Sequence, residues 1–257
     1  MSWLRVIVLG SGTSHGIPMI GCDCAVCRSP DPRDQRTRTS IVIQANEHPI
    51  LVDTTPELRL QCLACHVTRV EAVLFTHHHA DHVAGLDDLR RFNALQGTPL
   101  TCYADRTTAQ ELQRMFPYAF QHTPDYPSAK PHLNLARIDG PFDLFGTRIT
   151  PLPLMHGPSP VLGFRVGPFA NCTDCSFIPD ESFALLENLE VLILDGLRRR
   201  PHPTHFNLQQ AIEAARRIGA RQTYFTHIAH ELPHEATNKE LPPGMALAYD
   251  GQIIKVA

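Results

Sequence analysis

The chain carries no excess of positive charge. Its 23 Lys and Arg stand against 26 Asp and Glu, a formal net charge of −3 over 257 residues. That excludes the electrostatic footprint of a protein held to nucleic acid by bulk charge. It also lacks any apolar run of membrane-spanning length, so no membrane partner is expected. Its first residues, Met1-Ser2-Trp3-Leu4-Arg5-Val6, lack the basic segment, long apolar stretch and small-residue cleavage site of a secretory leader, and enter a strand-like run at once. Short-period repeats, low-complexity tracts and a linker are missing too, which sets aside solenoids and strings of small domains. One domain over residues 1–257 is the expectation, a normal length for a large α/β or sandwich domain. Without a leader, the eight cysteines point to reduced thiols or metal ligation rather than disulfides, and to a cytoplasmic location.

Hydrophobic residues make up 43 % and charged residues 19 %, enough for a substantial core. Strand signals fall at residues 5–9, 40–44, 49–52, 71–75, 147–154, 161–166, 191–194 and 222–225. Asn46-Glu47-His48 makes a hairpin of the second and third. Helical spacing is found at 56–65, with Pro56 near its start, at 85–95, at 107–116 with Thr107 as cap, and at 207–218 with Asn207 as cap. Proline and polar residues over 118–131 suggest a long loop or lid. Strands early and alternating elements later fit two sheets covered by helices.

The chemistry concentrates in Thr76-His77-His78-His79-Ala80-Asp81-His82, an H-x-H-x-D-H stretch directly after Val73-Leu74-Phe75. Four donors within six residues stand at the end of a buried strand, where open α/β folds place their chemistry. Imidazole nitrogen with carboxylate oxygen suits zinc, manganese or iron better than magnesium or calcium. So short a loop cannot easily give all four to one ion, so two ions side by side are expected. Three further donors follow other strand-like runs: His156 after Leu154-Met155, Asp174 after Cys172-Thr173, and His227 after Phe225-Thr226, which repeats Phe75-Thr76-His77. If these ends converge, His77, His79 and His156 serve one ion and Asp81, His82 and His227 the other, with Asp174 between them. His78 is out of phase with its neighbours and has no assigned role.

In this ordered set the sequence resembles the metallo-β-lactamase superfamily. The resemblance covers nearly the whole chain and implies a four-layer αββα sandwich of the α/β class with a dinuclear site at one edge of the sheets.

Three thiols in six residues, Cys22, Cys24 and Cys27, read as most of a structural zinc site in a loop at about 21–28. Cys62/Cys65 and Cys172/Cys175 are competing donors, although the first pair has helical spacing and packs as readily. The C-x-C-x2-C loop and Thr226-His227-Ile228-Ala229-His230 are similar to PhnP-type phosphoribosyl cyclic phosphodiesterases. That resemblance implies His230 as the fourth ligand of the structural zinc. It also places His205, within Pro201-His202-Pro203-Thr204-His205-Phe206-Asn207, where phosphodiesterase branches carry a histidine facing the substrate phosphate. A phosphodiester needs its leaving alkoxide protonated and its developing charge offset, and an imidazolium does either. The long arm by which tRNA-processing relatives grip RNA is not evident.

The function expected is hydrolysis of a small phosphodiester or nucleotide-like substrate, a cyclic phosphate such as phosphoribosyl 1,2-cyclic phosphate among them. A water bridging two zinc or manganese ions would be the nucleophile, with His205 and Asp81 as catalytic residues. Asp53 is open between orienting a metal-binding histidine and a plain strand-end aspartate. A nuclease, a thioesterase, a lactamase or a non-catalytic phosphate-binding protein are the rival readings, and a homodimer is compatible with the sequence. The run Arg198-Arg199-Arg200 could meet one phosphate, though such runs are more often solvated faces.

Overall fold

Residue alternation builds the layers. The structure is a computed structural model and describes residues 4–121 and 129–256. In β1 (Leu4–Gly10), Val6 and Val8 enter one apolar cluster, and Ile7 and Leu9 enter another. Successive side chains of a strand point to opposite faces, so a strand apolar on both faces must be covered on both. β2 (Ser40–Ala45) and β3 (His48–Val52) divide in the same way, with Ile41, Ile43, Ile50 and Val52 on one side and Val42 and Leu51 on the other. β4 (Ala72–Leu74), β5 (Leu100–Ala104) and β6 (Leu133–Arg137) extend this sheet in parallel from β3.

The second sheet starts with an antiparallel stretch, β7 (Phe142–Leu144), β8 (Thr147–His156), β9 (Ser159–Val166) and β10 (Phe169–Cys172). It continues in parallel through β11 (Val191–Asp195), β12 (Gln222–Thr226) and β13 (Met245–Leu247). β14 (Ile253–Val256) returns to the first sheet and pairs antiparallel with β1. Ile149, Phe164, Phe169 and Ile193 meet Val6, Ile41, Ile50 and Leu74 in the central core between the sheets.

Helices cover the outer faces. Leu58 and Cys62 of α1 (Leu58–Ala64), Val83 of α2 (Ala80–Val83), Phe92 of α3 (Arg90–Gln96), Leu112 of α4 (Arg106–Met115) and Ala119 of α5 (Pro117–Phe120) pack on the first sheet. Phe183 of α6 (Asp180–Ala184) and Leu208, Ala211 and Ala215 of α7 (Leu208–Ile218) pack on the second. α8 (His234–Glu240) lies by β13, where Asn238 Oδ1 accepts the Leu247 N–H at 2.7 Å. The result is a four-layer αββα sandwich. No helix among the described residues is long and apolar enough to cross a membrane.

Four elements differ from the sequence expectation, each for a local reason. The helix expected at 85–95 is a 3-10 turn, Leu86–Leu89, followed by α3. Gly85 is pinned there: its N–H donates to Thr54 O at 3.0 Å, and a Cβ would stand 1.9 Å from Thr55 O. α1 begins at Leu58, with Pro56 left in the turn before it. α4 is capped by Asp105 rather than Thr107, the carboxylate accepting the Thr108 N–H at 2.7 Å. β8 runs through Pro151 and Pro153 to His156, because β7 covers only Thr147–Ile149 and the prolines face the open side of the strand. Of the predicted loop at 118–131, residues 118–120 belong to α5. The centre of the expected lid, 122–128, lies outside the described residues.

Candidate metal centre

The parallel strands of both sheets end at one edge, and the site is built there. Asp53 follows β3, Asp195 ends β11 and His227 follows β12, while the His77–His82 loop leaves β4 and His156 ends β8. Asp53, Asp174 and His227 hold left-handed backbone conformations, with φ of 63°, 53° and 57°. Each costs about 1 kcal/mol or more in a non-glycine residue and persists only where surrounding contacts enforce it. One such contact is visible at His227, whose N–H donates to Thr39 Oγ1 at 3.2 Å. Leu162 N–H to Thr76 O, 3.0 Å, ties the histidine loop to the second sheet.

Two groups of donor atoms form. One each from His77, His79 and His156 lie within 4.8 Å of one another, as do those of Asp81, His82, Asp174 and His227. Asp174 stands between the groups: Oδ1 is 3.2 Å from His82 Nε2, and Oδ2 is 3.4 Å from His227 Nε2 and 3.9 Å from His77 Nε2. Asp81 Oδ2 is 3.6 Å from His82 Nε2 and 3.7 Å from His227 Nε2. Ligands at about 2.0–2.1 Å from a tetrahedral ion stand roughly 3.3 Å apart. The Nε2 atoms of His77, His82 and His227 are buried without a hydrogen-bond partner. Such orphans are rare and ask for a partner. Nitrogen and oxygen donors converging without bonding one another fit a first-row divalent cation.

The remaining ring nitrogens are held from behind. His82 Nδ1 donates to Asp53 Oδ2 at 2.8 Å, and His156 Nδ1 to the Thr204 carbonyl at 2.7 Å. Asp53 also accepts the Thr76 N–H at 2.9 Å and the Thr76 hydroxyl at 2.8 Å. These bonds fix the tautomer and direct Nε2 into the site. Of the two roles open for Asp53, the structure therefore shows the orienting one. Burial raises the Asp53 carboxyl, but three donors on its oxygens argue for the ionised form. Burial would raise Asp174 as well, yet His227, His82 and His77 hold it well below the usual carboxylate range. Burial works against His82, which Asp174 and Asp53 hold well above its ordinary value.

Beside these groups stands His205, with a donor atom within 4.8 Å of those of His156 and Asp174. Its ring stacks on His227 at 4.5 Å. His205 Nδ1 is 2.6 Å from Asp195 Oδ2, which also accepts the Cys175 N–H at 2.9 Å. Burial lowers His205 and pushes Asp195 up, against the charge that their contact favours. The two donors on Oδ2 are the geometry of a carboxylate accepting Nδ1–H, which leaves Nε2 as the free nitrogen.

A separate cluster joins the N-terminal loop to the segment after β12. His230 Nδ1 lies 3.2, 3.4 and 3.8 Å from the Sγ atoms of Cys22, Cys24 and Cys27. Sulfur at about 2.3 Å and nitrogen at about 2.05 Å from a tetrahedral zinc would stand roughly 3.5 Å apart, so the four residues suit that ion. The Cys27 N–H, reinforced by Cys22, Cys27 and His230, draws the Cys24 thiol down to about 6, toward the thiolate that binds metal. Burial pushes Cys27 up to about 11. The competing thiols pack in the apolar clusters instead, Cys62 and Cys65 beneath the first sheet and Cys172 and Cys175 beneath the second. Among the described residues His78 joins no donor group.

Asp195, Thr76 and the Thr204 carbonyl have no role in the sequence reading. Asp195 had a usable signal: an apolar run ending in an acid, Val191-Leu192-Ile193-Leu194-Asp195, as in Leu51-Val52-Asp53. A backbone carbonyl leaves no such trace.

A family model described as "Beta-lactamase superfamily domain" matches residues 48–228. That span contains all seven histidine and aspartate donors but neither the cysteine loop nor His230. The chain is similar to a crystal structure described as a new diphosphatase from the PhnP family, with a TM-score of 0.92, 42 % identity, and coverage of 99 % of this chain and 98 % of that one. It is 39 % identical over 253 residues to an octanoyltransferase of Porphyromonas gingivalis (strain ATCC BAA-308 / W83), a match to 96 % of this chain. The chain spans about half the length of that relative, 51 %. Zinc-bound PqqB from Methylobacterium extorquens shares the fold, with a TM-score of 0.77 at 20 % identity and coverage of 97 % and 99 % of the two chains.

Proposed function

The chain belongs to the metallo-β-lactamase superfamily and is PhnP-like, and from that premise we propose that it is a metal-dependent hydrolase acting at phosphorus on a small phosphoric diester. The observation that carries this reading is His205, backed by Asp195 at 2.6 Å and set against both donor groups. Expulsion of an alkoxide from phosphorus calls for a positioned proton donor, which a thiolate leaving from a thioester does not need.

In this reading His77, His79 and His156 would hold one divalent ion and Asp81, His82 and His227 a second, with Asp174 shared. Cys22, Cys24, Cys27 and His230 would hold a structural zinc. Zinc or manganese, when bound, supplies Lewis-acid stabilisation and lowers the pKa of water so that hydroxide is available near neutral pH. The chain supplies the rest. Asp53 and the Thr204 carbonyl hold the rings of His82 and His156 in place, so orientation is settled before substrate arrives. Asp195 keeps the His205 Nδ1 proton and stabilises the ring when it is charged. His205 Nε2 takes up a proton from the attacking water, and the imidazolium offsets charge developing on phosphorus and passes that proton to the leaving oxygen.

Replacement of His205 tests this role. His205→Ala is expected to lower turnover of an alkyl diester about 10²–10⁴-fold with metal content unchanged. The deficit should shrink for a nitrophenyl diester, whose leaving group needs no proton. Unchanged turnover on both would return His205 to a packing role.

A second reading is favoured by the 42 % identical diphosphatase: the scissile oxygen bridges two phosphorus atoms. Metal-reconstituted protein assayed on an aryl diester, a ribosyl cyclic phosphate, a dinucleoside diphosphate, short RNA, a thioester and a lactam separates these. Turnover of small phosphorus substrates and none of the others is expected. Thioester or lactam turnover alone would overturn the proposal.

A further inference from the structure

A cleft of about 240 Å³ opens beside His205, with Ser14, His15, Arg198, Arg200 and His202 among its walls. Its arginines are not equivalent. Arg199 pairs with Glu240 at 2.6 Å, and Arg200 with Glu231 at 2.6 Å, which also neutralises the carboxylate lining the cleft. Arg198, half-buried between Leu197 and its exposed neighbours, has no ion-pair partner among the described residues. Its hydrogen bonds go to carbonyls, from Nε to Arg200 O at 3.3 Å and from Nη2 to Pro201 O at 3.0 Å. These hold the guanidinium in place without neutralising it, so its charge is available to an anion. His202 stands next to it, 5.0 Å between ring centroids from His205. Its Nδ1 accepts the Thr204 N–H at 3.3 Å, and burial, His205 and Arg198 all lower its pKa. The neutral ring therefore carries its proton on Nε2, a second donor.

We infer that Arg198 and His202 form a second phosphate subsite beside His205, and that the substrate is a diphosphate. Its scissile phosphorus meets the histidine and aspartate centre while the other phosphate enters this cleft. The inference rests on the hydrolase reading above and narrows it from diesters in general to P–O–P linkages. In that hydrolysis a water oxygen bonds to the scissile phosphorus and the bond to the bridging oxygen breaks. The bridging oxygen leaves with the electron pair on the departing phosphate, and the two water protons pass one to each product phosphate. A departing phosphate needs charge neutralisation more than a proton, and a guanidinium provides that.

The test uses the metal-reconstituted protein, a methylene-bridged nucleoside diphosphate as the binding probe, and two substrates, a dinucleoside diphosphate and an aryl diester with one phosphorus. Arg198→Ala is expected to weaken calorimetric binding of the bridged analogue about 10- to 100-fold, the range of one charge-assisted hydrogen bond. kcat/KM for the diphosphate should fall at least as far, because the guanidinium both binds the second phosphate and offsets charge on it as it leaves, and the preference for diphosphate over aryl diester should fall. Arg198→Lys should recover part of the loss, and His202→Gln should reproduce a smaller one. Unchanged analogue affinity, or equal losses on both substrates, would overturn the inference. Wild-type protein that hydrolyses the aryl diester but not the diphosphate would overturn it alone; wild-type protein that hydrolyses neither would overturn the hydrolase reading with it.

Discussion

Asp174→Ala is expected to lower hydrolysis of a phosphoric diester about 10³-fold or more, and to strip bound metal from both donor groups together. The carboxylate is buried, and its two oxygens lie within 3.2–3.9 Å of three Nε2 atoms drawn from both groups. Among the described residues it is the carboxylate whose oxygens face ring nitrogens of both groups. Its loss removes the carboxylate that His77, His82 and His227 share and leaves Asp81 facing His82 and His227. Because removing one partner from a buried charged cluster can cost about 3–5 kcal/mol, the variant could fail by unfolding. Asp174→Asn separates the two effects, since it keeps volume and a hydrogen-bonding oxygen while removing the charge. Metal content by mass spectrometry and the thermal midpoint are measured on both variants. The expected result is a folded Asp174→Asn protein with its metal largely lost and the same deficit in turnover. A folded, metal-replete and active Asp174→Asn protein would remove Asp174 from the centre.

Cys24→Ser should act elsewhere and differently. It is expected to remove about one equivalent of zinc and lower stability while leaving a partly active centre. Even outer contacts of a metal site are worth 10- to 100-fold in affinity, so loss of a direct ligand should cost at least about 2.7 kcal/mol. In a chain of this size that lowers the thermal midpoint by roughly 5–10 °C. Some activity should be lost with it, for a structural reason. His230 lies three residues beyond His227, and Ile228 between them is bonded on both sides to the N-terminal loop, N–H to Ser11 O at 2.9 Å and C=O from Thr13 N–H at 3.1 Å. The cluster thus clamps the segment that carries His227. Cys62→Ser, at a thiol of α1 packed against the first sheet, should leave zinc content unchanged. If Cys24→Ser keeps its zinc and its midpoint, the four sulfur and nitrogen donors do not form a site.

The donors legible in the sequence share one signature: an apolar run ending in histidine or aspartate. That pattern works because parallel strands buried on both faces must be apolar, and their ends emerge at one edge. It led to His77 and His227, and the same apolar run, here in antiparallel β8, led to His156. The cysteine spacing was legible for the different reason that one ion needs several thiolates close together. Residues that act from behind escaped: Thr76 and the Thr204 carbonyl carry no spacing of their own, and Asp195, although it ends an apolar run, touches a histidine rather than another donor of that pattern. The strands left out, β5, β6, β7, β10, β13 and β14, are short, three to five residues each. β14 is fixed by pairing with β1 across the length of the chain, Leu4 opposite Val256, a contact no local window contains. Gly85 shows the opposite case. The apolar spacing of Leu86, Leu89 and Phe92 was read correctly, but the close approach of Thr55 O broke the expected helix into two pieces.

Metal dependence is decided by a titration. Protein stripped of metal with a chelator is mixed with zinc or manganese in steps while hydrolysis of an aryl phosphodiester is followed. Turnover is expected to be absent at the start and to rise with added metal until the histidine and aspartate donors are filled, at about two equivalents beyond those taken up by the cysteine cluster. Full turnover by the stripped protein, unchanged as metal is added, would contradict a metal-dependent hydrolase.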